Sequence, residues 1–164
     1  MKTLYIIGGT MGVGKTATCQ LLKKRLPGAV FLDGDWCWDA DPFRVTEETK
    51  TMVMENIAFL LNQFLHCSAY ENVIFCWVLH EQAILEDLLA RLDTAGCRVL
   101  CVSLVCTAEA LEERLRRDVE AGLRQPDVIA RSLARLPLYG KLNTVKLDVS
   151  ACTAEEAAGQ LAKL

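Results

Sequence analysis

The sequence predicts an α/β protein in which five parallel strands form one sheet with helices on both faces. Three observations predict it. Short apolar runs alternate with segments whose apolar residues recur at helical spacing along all 164 residues. The short runs are apolar at nearly every position, as strands covered on both faces of a parallel sheet are. The first run ends in a glycine-rich loop that opens directly into the first helical segment.

The elements follow in order. Residues 3–8 read as a buried strand ending in Gly8-Gly9. From Lys15 to Leu26, Ala17, Leu21, Leu22 and Leu26 mark a helix that Pro27-Gly28 stops. Ala29–Leu32 is a second strand running into Asp33, and residues 34–45 are irregular, rich in Asp and Trp. Thr46 is an N-cap with Glu47 and Glu48 in the first turn, and Val53, Ile57, Leu60, Leu61 and Phe64 carry a long helix to about Ala69. Val73–Leu79 is the third strand. Ile84, Leu85, Leu88, Leu89 and Leu92 form a helix closed near Gly96. Val99–Val105 is the fourth strand, and Thr107 caps a helix through Leu111 and Leu115. Gly122 and Pro126 break the pattern, and Ile129, Leu133 and Leu136 continue it up to Pro137. Val145–Val149 is the fifth strand, followed by a capping box, Thr153-x-x-Glu156, and a last helix.

Length and composition narrow the classes. A chain of 164 residues fits one domain, 1–164, with no linker or repeat. Apolar residues are 52% and charged residues 24%, which excludes a disordered or collagen-like chain. A net charge of −3 argues against nucleic acid as a partner. No run approaches the ~20 apolar residues of a membrane span, and Leu4–Ile7 is too short for a signal-peptide core, so the expected compartment is the cytoplasm. The eight cysteines form no Cys-x-x-Cys and have no histidine pair beside them, so reduced structural thiols are expected.

Gly9-Thr10-Met11-Gly12-Val13-Gly14-Lys15-Thr16 fits G-x-x-x-x-G-K-S/T at every fixed position, between a strand and a helix. Glycines let such a loop fold back so that successive N–H groups point into one concavity. A lysine at this position reaches β- and γ-phosphates, and the threonine hydroxyl ligates Mg²⁺. The helix begun at Lys15 adds its dipole. The expected ligands are therefore ATP and Mg²⁺.

Other chemistries that use this loop fit less well. Asp93-Thr94-Ala95-Gly96 has the spacing of a GTPase switch but ends a helix, and no Asn-Lys-x-Asp supports guanine reading. A motor or AAA-type ATPase calls for a longer core with an acidic strand further downstream and an arginine-finger module.

The loop, together with two other segments, resembles the small P-loop kinases, the family of shikimate, gluconate and adenylylsulfate kinases and chloramphenicol phosphotransferase. The second segment is Leu32-Asp33-Gly34-Asp35, similar to the D-x-D and L-D-G-D of these enzymes. The third is Glu113-Arg114-Leu115-Arg116-Arg117 with Gly122, Arg124 and Pro126, similar to their helix-to-lid junction. The resemblance implies strand order 2-3-1-4-5 and a short arginine-rich lid at about 118–128. It implies transfer of the γ-phosphoryl group of ATP to a small metabolite, nucleoside, nucleotide or antibiotic. Carried over, Thr16 and Asp33 hold the metal, and Lys15, Asp35, Arg117 and Arg124 act in transfer. Arg114 joins the loop residues in nucleotide binding. Arg131 and Arg135 are expected to pair at the surface.

Trp36-Cys37-Trp38-Asp39-Ala40-Asp41-Pro42-Phe43-Arg44 departs from the family pattern where the acceptor should sit. Trp36 and Trp38 either wall an acceptor pocket or pack on the long helix, Arg44 suits an anion, and His80 lies at the carboxyl edge of the sheet where ligands bind. The expected assembly is a monomer or homodimer. The alternative function is a nucleotide-dependent ATPase or switch without a small acceptor.

Overall fold

The computed structural model describes all 164 residues. Five parallel strands, β1 (Lys2–Gly8), β2 (Ala29–Asp33), β3 (Asn72–Trp77), β4 (Cys97–Val105) and β5 (Val145–Asp148), lie in the order 2-3-1-4-5. Six α-helices connect them: α1 (Lys15–Arg25), α2 (Glu47–His66), α3 (Gln82–Arg91), α4 (Ala108–Glu120), α5 (Val128–Arg135) and α6 (Ala154–Leu161). Single 3₁₀ turns cover Gly34–Cys37 and Leu136–Lys141.

β1 shows why its run is apolar at every step. Leu4 and Ile6 face α2 and α3 with Val73, Phe75, Ile57, Leu61 and Leu88. Tyr5 and Ile7 face the opposite layer with Ile74, Cys19 and Leu22 of α1, and Ala158 and Leu161 of α6. Both faces of the strand are buried, so neither carries a polar position. Truncating Ile7, which is fully buried, to alanine would cost about 2–5 kcal/mol.

Several element ends differ from the sequence reading, each for a visible reason. α2 stops at His66 rather than near Ala69, where the Lys2 ammonium donates to the carbonyls of Phe64 (3.3 Å) and Cys67 (2.7 Å). Gly96 does not close α3. That helix ends at Arg91, where Asn62 of α2 donates to the Arg91 carbonyl (3.0 Å) and accepts from the Asp93 N–H (2.8 Å). β3 ends at Trp77, before Leu79, whose φ is 38°. The helix expected to reach Pro137 is α-helical only to Arg135 and then tightens into the 3₁₀ turn. The last helix has half a capping box: Thr153 accepts from the Glu156 N–H, but the Glu156 carboxylate meets the Thr153 hydroxyl instead of its N–H.

β1 lies between β3 and β4, so the chain order reverses around it. The crevice at the carboxyl end of such a strand is where open α/β sheets bind ligands. The glycine-rich loop leaves β1 at that point. All eight cysteines are free thiols, and no helix is long and apolar enough to cross a membrane.

Candidate functional site

The loop Gly9–Gly14 turns back over the end of β1. Gly12 and Gly14 take φ of 87° and 99°, which favours glycine, and a Cβ on Gly12 would lie 2.4 Å from the Leu115 side chain. α1 starts without a side-chain cap and without an acid in its first turn. α3 and α5 share this, whereas α2, α4 and α6 are capped by Thr46, Thr107 and Thr153 and carry first-turn glutamates; α1 differs from α3 and α5 in starting directly from the loop at the end of β1. The first amides of α1, with the positive end of its dipole, thus face the crevice free to receive an anion.

Lys15 is half-buried beneath this loop, with its ammonium donating to the Thr10 carbonyl at 3.0 Å. Burial pushes the ammonium below its ordinary pKa, against the pull of the Asp35 and Asp33 carboxylates. The Thr16 hydroxyl donates to Asp33 Oδ2 at 2.6 Å, and Asp33 Oδ1 accepts the Asp35 N–H at 2.9 Å. Asp33 is only 5% exposed, at the carboxyl end of β2. No group of three ligating side chains exists anywhere in the chain. A Mg²⁺ ion commonly takes one or two protein ligands beside water and phosphate oxygens, and the Thr16–Asp33 pair is a donor set of that size and hardness.

Asp35 leaves the sheet on the 3₁₀ turn, with its carboxylate reaching solvent. Partial burial and the Asp33 charge push it above the ordinary carboxylate range, opposed by Lys15, the Trp77 indole and Arg124. Trp77 also covers Gly34, where a Cβ would come within 2.5 Å of the indole ring. In the sequence, Trp77 stands out only as part of the strand Val73–Leu79.

The arginines divide. Arg124, held by Asp118 at 3.0 Å, bears electrostatically on both Lys15 and Asp35. Arg114 donates to the carbonyls of Val13 (3.4 Å), Val149 (2.5 Å) and Ser150 (3.4 Å), tying the loop to the segment after β5. Beside it lies a cavity of about 140 Å³ lined by Val13, Gly14, Thr18, Val149 and Cys152, among others. Arg117, 72% exposed, pairs with Glu113 along α4 and is not brought to the crevice. Arg131 pairs with Asp127 at 3.6 Å. Arg135 does not pair at the surface as expected. It makes no ion pair, and its charge bears on His80 and Tyr139.

His80 sits just past β3. Burial and Arg135 hold its imidazole below the ordinary value, Nε2 is 3.4 Å from Glu81, and buried Nδ1 has no partner. Tyr139, fully buried, donates to the Val78 carbonyl at 2.5 Å. Trp36 is 56% exposed and leans on Phe31, with centroids 5.2 Å apart. Trp38 packs half-buried against the α2 side of the core and on Phe43, with centroids 4.1 Å apart. Arg44 is exposed, without an ion pair.

A family model described as an AAA domain matches residues 6–127. The matched stretch runs from β1 to just past α4 and holds the glycine-rich loop, Asp33, Asp35 and the arginines of α4. Solved structures with the same fold cover nearly the whole chain. A tunicamycin resistance protein of Deinococcus radiodurans is 22% identical, with 99% of this chain and 95% of that one covered at a TM-score of 0.71. A gluconokinase of Sinorhizobium meliloti is 19% identical (98% and 94% covered, TM-score 0.67). An APS kinase of Mycobacterium tuberculosis, solved with AMPPNP and APS, is 14% identical (99% and 96% covered, TM-score 0.66). No curated protein matches by sequence. The fold is therefore that of the small P-loop kinases, as the motifs imply.

Proposed function

This chain belongs to the AAA domain family, and from that premise we propose that it is a kinase moving the γ-phosphoryl group of ATP to a hydroxyl of a small molecule. The observation that carries the reading is the continuity of the crevice. One hydrogen-bonded run leads from Thr16 through Asp33 to the backbone of Asp35, beside an uncapped helix end and Lys15. A phosphate-binding loop alone would suit an ATPase or switch. A second carboxylate, exposed and raised above its ordinary range, suits a hydroxyl acceptor.

The loop amides and Lys15 hold the β- and γ-phosphates. Thr16 and Asp33 would hold Mg²⁺, which when bound supplies positive charge against the phosphate oxygens. Asp35 orients the acceptor hydroxyl and takes its proton, and positioning matters more than base strength in such a loose transition state. Arg124 faces the transferred group from residues 118–128, which act as a lid over a single domain and exclude water. The cavity beside Arg114 takes the base. Trp36, Trp38 and Trp77 give the acceptor an aromatic wall. His80 and Arg135, each with an unused polar group, take its other polar substituents, and Arg44 stands at the rim.

The test is ADP release with Mg-ATP across a panel of nucleosides, sugars, hydroxy acids and antibiotics. Turnover that depends on one class of added compound supports the reading. Equal turnover with and without every compound supports an ATPase instead.

A further inference from the structure

The phosphate loop is tied to the helix that follows the lid by one side-chain hydrogen bond, from Thr10, beside the apolar packing of Met11 against Val128, Ile129 and Leu133. Thr10 is fully buried, and its hydroxyl donates to the Ser132 carbonyl on α5 at 2.9 Å, across 122 residues of sequence. The same residue's carbonyl accepts the Lys15 ammonium at 3.0 Å. Arg135, which makes no ion pair, stands one turn beyond Ser132 on the same helix. A second tie runs in parallel: the Gly9 N–H and the Tyr139 hydroxyl both donate to the Val78 carbonyl, at 3.4 and 2.5 Å.

We propose that Thr10 is a positioning residue that transmits nucleotide occupancy from Lys15 to α5, the helix that carries Arg135. This rests on the reading of the loop as a nucleotide site. A phosphate draws the Lys15 ammonium off the Thr10 carbonyl, which keeps its bond from the Val13 N–H at 3.4 Å. The loop is then pinned by the phosphate, and the Thr10–Ser132 bond carries that restraint into α5. The bond is not needed to satisfy the helix, because the Ser132 carbonyl also accepts the Leu136 N–H. Thr10→Val therefore removes this bond while leaving no buried acceptor without a partner, and Thr10→Ser keeps the hydroxyl.

The experiment is hydrogen exchange of the Val128–Arg135 amides with and without saturating AMPPNP, with saturation established by calorimetry for each protein. In the parent and in Thr10→Ser, the nucleotide slows exchange of this helix by about fivefold, the scale of one net hydrogen bond. In Thr10→Val the slowing is clearly smaller than in the parent although the site is filled, since only the Met11 packing and the Val78 tie remain. Thr10→Ala serves the same purpose if the valine variant does not fold. Equal slowing in the variant lacking the hydroxyl, or no slowing in a parent that binds AMPPNP, overturns the proposal. A parent that fails to bind AMPPNP overturns the nucleotide reading beneath it.

Discussion

The Thr16 hydroxyl donates to the Asp33 carboxylate at 2.6 Å, a bond that joins the first turn of α1 to the end of β2. It sets the two acids in different surroundings. Asp33 spends one oxygen on Thr16 and the other on the Asp35 N–H, so it is immobilised beside the loop. Asp35 is exposed on the 3₁₀ turn beyond the sheet, with the Trp77 indole as its hydrogen-bond partner.

Asp33→Asn should raise the Mg²⁺ concentration needed for half-activity. Asp35→Asn should lower kcat by about 10²-fold or more while leaving ATP affinity and Mg²⁺ dependence in place. Kinetics of both variants across a Mg²⁺ titration check this. The reverse pattern would exchange their roles.

Asp35 also sets a pH dependence. Its carboxyl is raised above the ordinary range, so the acid limb of kcat/KM should fall at a higher pH than an unperturbed carboxylate would give, and should vanish in Asp35→Asn. Stability runs the other way. With the folded pKa raised, the folded state holds the proton more tightly than the unfolded one, so the stabilisation is present in acid and lost as pH rises through the folded value. Asp35→Asn should therefore melt at or above the parent at neutral pH, and the difference should close in acid.

The arginines should separate by partner. Arg124→Ala should lower kcat on the order of 10³-fold, the lower end of the arginine contribution to phosphoryl transfer. Arg117→Ala removes an exposed pair with Glu113 and should leave kcat within about twofold, as exposed pairs contribute little. Steady-state kinetics of the two variants measure both.

Much of this was legible in the sequence because it is local. The strand–loop–helix order, Thr16 and Asp33 lie within a few residues of their elements' ends, and the apolar runs give the sheet. Arg117 and Arg135 show what was not. Arg116, Arg117 and Arg131 each have an acid four residues earlier, Glu112, Glu113 and Asp127, and each pairs with it on its helix. Arg114 and Arg135 have none at that spacing: Arg114 turns to distant backbone, and Arg135 pairs with no acid. The spacing reads pairing only inside a helix: Arg124, past the end of α4, has Glu120 four residues earlier yet pairs with Asp118. Trp77 and Tyr139 carried no signal, since their contacts, with Gly34 and the Val78 carbonyl, depend on sheet order and on the chain returning from far away.

Tyr139→Phe deletes a buried donor whose acceptor, the Val78 carbonyl, keeps the Gly9 N–H. The loss should be about 1 kcal/mol, a fall of roughly 2–4 °C in Tm for a chain of this size. Thermal unfolding by circular dichroism gives the number.

The central claim is that the loop from Gly9 to Thr16 is a Mg²⁺-dependent nucleotide site organised around Lys15. Titration calorimetry of AMPPNP into the parent and into Lys15→Ala, with and without Mg²⁺, tests it most directly. The account predicts binding by the parent that weakens when Mg²⁺ is withheld, and a loss of at least about tenfold in affinity in a variant that remains folded. Equal affinity in parent and variant, or no binding by either, would contradict it.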